Sequence, residues 1–150
     1  MSVVYDAPGE KIDAIVEVPR DVEADVVAHF RANELPAQTE IDDERAPGMV
    51  RVTRTGGELS NFVQDVPQIL IETWEKNSVA SWALAQRAWA LLALASARQQ
   101  INGVELYDVD LGVPYTLDDD LAPELHRHQF LAVLTVPLTE LTLSVEGAPS

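Results

Sequence analysis

The sequence predicts an α+β fold: one domain built on a mixed or antiparallel sheet of about four strands, with one short and one long helix packed on one face. Three observations carry this. From Ser78 to Gln100 the chain runs without glycine or proline, and Trp82, Ala85, Trp89 and Leu92 recur at spacings of three and four, the signature of a helical face. Met49 to Thr55 (MVRVTRT) alternates apolar and polar residues, as a half-buried strand does. His128 to Leu138 is strongly apolar and places Phe130, Ala132, Leu134 and Val136 on one side. Helix, two strands, long helix, then two or more strands is the element order of a sheet covered on one face.

Residues 1–18 are expected to form an arm or an edge strand, with Ile12 to Val18 (IDAIVEV) its β-branched part and Pro8-Gly9 a turn before it. The domain proper spans 19–145. Asp21 can cap the first helix, Glu23 lies in its first turn, and Val22, Val26, Val27 and Phe30 share a face. That helix should end near Asn33, before Pro36. Pro36 to Gly48 is a long acidic loop. After the Met49–Thr55 strand, Gly56-Gly57 reads as a tight turn, Glu58 to Val66 as a second loop and Gln68 to Trp74 as a second strand.

Ser78 is the expected N-cap of the long helix. Leu84, Ala88, Leu91 and Ala95 form a second apolar line beside the first. A helix apolar on most sides has to be covered on most sides, and one sheet covers only one. The remainder calls for another helix or another subunit. Asn102-Gly103 is a stop signal. Val104 to Leu111 is a third strand, Gly112 to Pro123 a loop, His128 to Leu138 a fourth strand and Leu141 to Val145 a further short one. Residues 146–150 are expected to be a disordered tail. Trp82, Trp89, Leu92 and Phe130 are the expected core, with Trp74 and Trp82 placed to pack on each other.

Composition bounds the chemistry. At 150 residues and 47% hydrophobic the chain can build a real core. It has no cysteine, so disulfide and thiolate chemistry are excluded. The first ten residues carry Asp6 and Glu10 and do not read as a secretory leader, and no apolar run approaches the ~18–20 residues of a membrane span. A formal net charge of −15 argues against adhesive binding to nucleic acid, which needs clustered cations to release counterions. It suits either solubility or a surface that DNA passes without sticking.

No glycine-rich phosphate loop and no Gly-x-Ser-x-Gly elbow is present. The one ligand-like constellation is Asp118, Asp119, Asp120, His126 and His128, residue types that can hold a divalent metal. A third partner is not evident, and the plainer reading is a solvated loop leading into a strand. We expect no cofactor and no catalytic set.

The run Met49-Val50-Arg51-Val52-Thr53-Arg54-Thr55-Gly56-Gly57 resembles the strand ending in R-T-G-G of tail terminator (tail completion) proteins of long-tailed bacteriophages. The family's other elements have counterparts in order: an opening helix (Val22 to Asn33), a loop with proline and arginine (Arg45-Ala46-Pro47), a strand ending in tryptophan (Ile69 to Trp74), an alanine-rich helix (Ala80 to Ala97) and an apolar strand (Gln129 to Val133). The likeness covers roughly Pro19 to Leu138; residues 1–18 and the triple aspartate fall outside it.

The resemblance implies a virion protein of the tail neck, made in the host cytoplasm. It would form a homo-oligomeric ring, commonly a hexamer, that stops growth of the tail tube protein and docks head-completion or stopper proteins. DNA would pass its channel unbound, and no membrane is involved. Under that reading Arg45, Arg51 and Arg54, close in sequence to Asp42, Asp43 and Glu44, are candidate subunit-interface residues, unless they pair within one subunit. Asp118, Asp119 and Asp120 are candidate channel or loop acids. A head-to-tail adaptor or tail tube component is the first alternative, and a small metal-dependent enzyme using His126, His128 and an aspartate is the second.

Overall fold

The computed structural model of the chain describes residues 10–41, 44–60 and 63–147. The expected turn at Pro8-Gly9 and the end of the tail lie outside them, as do Asp42 and Asp43. The architecture is a single α+β domain with two helices on a mixed sheet. In chain order the elements are β1 (Lys11–Val18), α1 (Val22–Ala32), β2 (Ala37–Gln38), β3 (Val50–Ser60), β4 (Gln64–Glu75), α2 (Ser78–Arg98), β5 (Gln100–Ile101), β6 (Val104–Glu105), β7 (Asp108–Leu111), β8 (Tyr115–Thr116), β9 (His126–Pro137) and β10 (Thr139–Glu146). The main sheet has six strands, in the order β2-β3-β4-β9-β7, with β8 also paired to β9. Only the β2–β3 pair is parallel; the other pairs in the sheet are antiparallel.

The core lies between this sheet and the helices. Val50 and Val52 of β3, Ile69 and Ile71 of β4, and Phe130, Ala132, Leu134 and Val136 of β9 are buried on the helix-facing side, following the two-residue alternation of strands. Phe30, Val26 and Val22 of α1 and Leu92 of α2 close the layer. Asp21 caps α1 by accepting from the Ala24 amide at 3.1 Å. His29 Nε2 hydrogen-bonds the Leu91 carbonyl oxygen at 2.7 Å, tying α1 to α2.

Several boundaries differ from expectation. Gly56-Gly57 does not turn the chain: β3 continues to Ser60 and pairs with a β4 that begins at Gln64, so Glu58 to Val66 belongs mostly to a long hairpin rather than a loop. The ladder shifts between Arg54 and Gly56, an irregularity of the kind one extra residue produces in a β-bulge. Gly57 has φ +120, and a Cβ there would stand 2.3 Å from the Val66 carbonyl oxygen, so both conformation and close approach require glycine. Asn77, not Ser78, caps α2, accepting from the Ala80 amide at 2.8 Å. The predicted strand over 104–111 is divided. Asn102 (φ 48) and Gly103 (φ 75) form the turn of the small β5–β6 hairpin, and β7 then joins the main sheet. The expected arm is β1, paired along its length with β10.

The long helix buries a different line from the one its tryptophans suggest. Ser81, Ala85, Ala88, Leu92 and Ala95 face the sheet, and small side chains let the helix sit close to it. Trp89 is half-buried at the flank, its indole N–H donating to the Gly112 carbonyl oxygen at 3.1 Å. Trp82, expected in the core, is 40% exposed; it meets the His128 ring edge-on at 5.8 Å rather than packing on Trp74. Leu92→Ala should therefore cost about 2–5 kcal/mol, the range for a large-to-small core change. Trp82→Ala should cost clearly less. Denaturant midpoints of the two variants compare them, and equal losses would contradict this burial pattern.

Candidate functional site

On the sheet face away from the helices, at the end where β4 leads into α2, three of the charged residues singled out from the sequence, Arg45, Arg51 and Asp119, gather with two that were not, Glu72 and Arg127. Arg51 stands directly across from Glu72 in the β3–β4 ladder, and its guanidinium reaches the Glu72 carboxylate at 2.7 Å. Arg127 of β9 donates to the other Glu72 oxygen at 3.2 Å. Glu72 is 2% exposed, so one buried carboxylate is shared by two cations from the strands on either side of its own.

Trp74, two residues on and fully buried, donates its indole N–H to Asp119 Oδ2 at 2.9 Å. The Arg45 and Arg51 guanidinium carbons lie 5.6 and 5.7 Å from the Trp74 ring centroid, within reach for cation–π attraction. Arg45 also pairs with Asp119 at 3.2 Å. Asp119 accepts from the Leu121 amide as well. Burial alone would push its carboxyl pKa up. The Leu121 and Trp74 hydrogen bonds and the Arg45 and Arg127 charges together hold it below the ordinary carboxylate range.

The triple aspartate is therefore not one solvated acidic unit. Asp119 is buried and anchors its loop to β4, while Asp118 and Asp120 are exposed. Arg127 binds that loop too, donating to the Asp118 and Leu117 carbonyl oxygens. Arg54 lies apart, on the helix side of the sheet, in a bidentate pair with Asp65 at 2.6 and 2.8 Å; Asp65 is fully buried. Arg45, Arg51 and Arg54 thus all form ion pairs within the subunit. Of their proposed acidic neighbours, Glu44 is exposed.

The histidine pair separates in environment. His126 is exposed, but His128 is 5% exposed, and its Nδ1 lies 2.7 Å from Ser81 Oγ in α2. It is not the solvated strand-edge residue its sequence position suggests. Burial pushes its pKa down, and the neighbouring His126 adds to this. With Asp119 committed to Trp74 and Arg45, the five metal-candidate residues do not converge; no group of three potential ligands is found among the described residues. Nor is any helix there long and apolar enough to cross a membrane.

Apolar side chains are exposed at several places among the described residues, and two of these surfaces are not evident from single motifs. One is the outer face of α2, where Val79, Trp82 and Leu94 are exposed, with a groove of about 220 Å³ between Trp82, Gln86, Trp89, Val113 and Pro114. The other is the β1–β10 ribbon, where Leu141 and Leu143 are exposed. The α2 surface has a partial signal in the sequence, since that helix is apolar on more sides than a sheet can cover. Against known proteins, the chain matches no family model and no curated protein.

Two outcomes follow from the ionic geometry. Glu72→Ala leaves Arg51 and Arg127 facing each other without a counter-ion and should destabilise the subunit by about 3 kcal/mol, the low end for breaking a buried pair, because the Arg51 side chain keeps 29% exposure. Chemical denaturation measures it, and a loss no larger than that of an exposed pair would show the cluster to be solvated. For His128, the unfolded chain takes up a proton first. Stability should be full above about pH 6.5 and decline as pH falls through the lowered folded value. Unfolding between pH 7.5 and 5.5 should show that decline in wild type and a flatter profile in His128→Gln; parallel profiles would rule the effect out.

Proposed function

We propose that this chain is a virion structural protein: the subunit of a ring that caps the head-proximal end of a phage tail tube, stops tube growth and offers a docking surface to head-completion proteins. The observation that carries the reading is the open apolar face of α2, on the alanine-rich helix of the resemblance, in a chain whose sheet already covers the helix's other side. A monomer gains nothing from such a face, whereas a ring covers it at every contact. The element order of the resemblance is also present in the fold. The R-T-G-G run takes a different form here, because its glycines sit within β3 rather than closing it.

The net charge of −15 supports the same reading in one respect and opposes it in another. Acidic groups such as Asp118 and Asp120 lining a channel would let DNA pass without sticking. The same charge makes copies repel one another, and salt relieves that repulsion with a screening length of about 8 Å at physiological ionic strength.

The arginines do not explain assembly in this reading, because their pairing is internal. Arg51→Glu would set a carboxylate against Glu72 and damage the subunit itself. Light scattering across protein and salt concentration, with electron microscopy of the product, tests the proposal. A single closed multi-subunit ring, favoured by added salt, is the expected result. A monomer at every condition would overturn it, and open-ended tubes would make the chain a tube component instead.

A further inference from the structure

We propose that Asn102 is a site of spontaneous chemical modification. Its side-chain amide is displaced by the backbone nitrogen of Gly103 and ends as a carboxylate, and Asp25 of α1 holds the reaction back. The chemistry lies inside one subunit, so it stands or falls independently of ring formation.

Asparagine before glycine is the pair most open to this reaction, because glycine has no side chain to obstruct ring closure. Of the four asparagines only Asn102 is followed by glycine. Both residues are exposed, so water reaches them. They form the two-residue turn between β5 and β6, with φ 48 and 75, and no atom lies within 4 Å of the place a Gly103 Cβ would take. The Gly103 nitrogen gives up its proton to solvent and attacks Asn102 Cγ. The Cγ–Nδ2 bond breaks, and Nδ2 takes a proton from water and leaves as ammonia. Water then opens the cyclic imide at either carbonyl. One opening gives aspartate; the other gives isoaspartate, in which the chain runs through the former side chain.

The fold governs both rate and consequence. Asn102 Nδ2 donates to Asp25 Oδ1 at 3.1 Å, and Asp25 is 5% exposed and paired with Arg20. Attack swings Cγ toward the Gly103 nitrogen, and a hydrogen bond to a charged acceptor resists that swing. Once oxygen replaces Nδ2, the donor to Asp25 becomes a second carboxylate beside it, and one cation, Arg20, has to serve both. Isoaspartate also adds a backbone atom to a turn whose flanks pair Gln100 with Glu105 and Ile101 with Val104. Ile101 and Leu106 are each 1% exposed in the core, so the modified turn disturbs the packing beneath it.

Folded protein held in mildly alkaline buffer, then digested and weighed, gives the rate at Asn102 from the exchange of –NH2 for –OH. Asp25→Ala should raise that rate at least about tenfold, roughly 1.4 kcal/mol of barrier. Asp25→Asn keeps a neutral acceptor and should fall between; it carries the comparison if circular dichroism shows Asp25→Ala unfolded. Leu92→Ala, destabilised away from the turn, should leave the rate near that of wild type. Equal rates in wild type and the Asp25 variants would overturn the proposal, as would an equal acceleration by Leu92→Ala, because global opening would then control the reaction. A folded wild type as fast as the chain in urea would overturn it too. For the consequence, Asn102→Asp should lower the folded-to-unfolded ratio about tenfold, and clearly less in the Asp25→Ala background, where the opposing carboxylate is gone. An equal loss in both backgrounds would overturn the charge clash.

Discussion

Burial of Glu72 between Arg51 and Arg127 is the constraint on which the rest of the sheet depends. A carboxylate at 2% exposure is tolerable only with its charge matched and its oxygens bonded. Here the matching groups come from β3 on one side and β9 on the other. The pair across β3 and β4 is in direct register. A slip of one residue in β4 would turn Glu72 into the apolar layer beside Val50, Val52 and Phe130, expel Ile69 and Ile71 from it, and leave both arginines without a partner. Buried ion pairs are weak evidence for net stability, but they discriminate strongly between correct and slipped pairing. Asp65 with Arg54, and Asp119 with Arg45, repeat the arrangement further along the hairpin and at the loop before β9.

This arrangement has a consequence for the surface. Five of the ten cations, Arg20, Arg45, Arg51, Arg54 and Arg127, form ion pairs inside the chain. Most carboxylates among the described residues are exposed. The outer face of α2 is the exception, a basic and apolar strip on an acidic protein. Arginine–carboxylate pairs thus lie within the subunit, while apolar side chains of α2 stay exposed beside Arg87 and Arg98.

Strand periodicity and helix length were legible in the residues themselves. The alternation of Val50 and Val52, the apolar side of β9 from Phe130 to Val136, the Asp21 cap and the long helix are local properties, decided by side-chain spacing and backbone propensity. The surplus apolar character of α2 was equally plain. Its register was not, because Trp82 and Trp89 outweigh alanine in any hydrophobic reading, whereas a close sheet selects for small residues. Ser81, Ala85 and Ala88 took the inner line for that reason.

Sequence alone determined that this is a one-domain α+β protein with a strongly acidic surface and a helix in need of more cover than a sheet provides. Tertiary structure decided which charges are internal. Arg51 with Glu72, Arg45 with Asp119 and Arg127 with Glu72 are separated by 21, 74 and 55 positions, beyond any local pattern. It also decided that β1 pairs with β10 across nearly the whole chain, and that Gly57 sits within a continuing strand instead of ending one. The physical reason is common to all three. Charge pairing, strand pairing and close backbone approach depend on which segments become neighbours, and that is settled only when the core between sheet and helices closes.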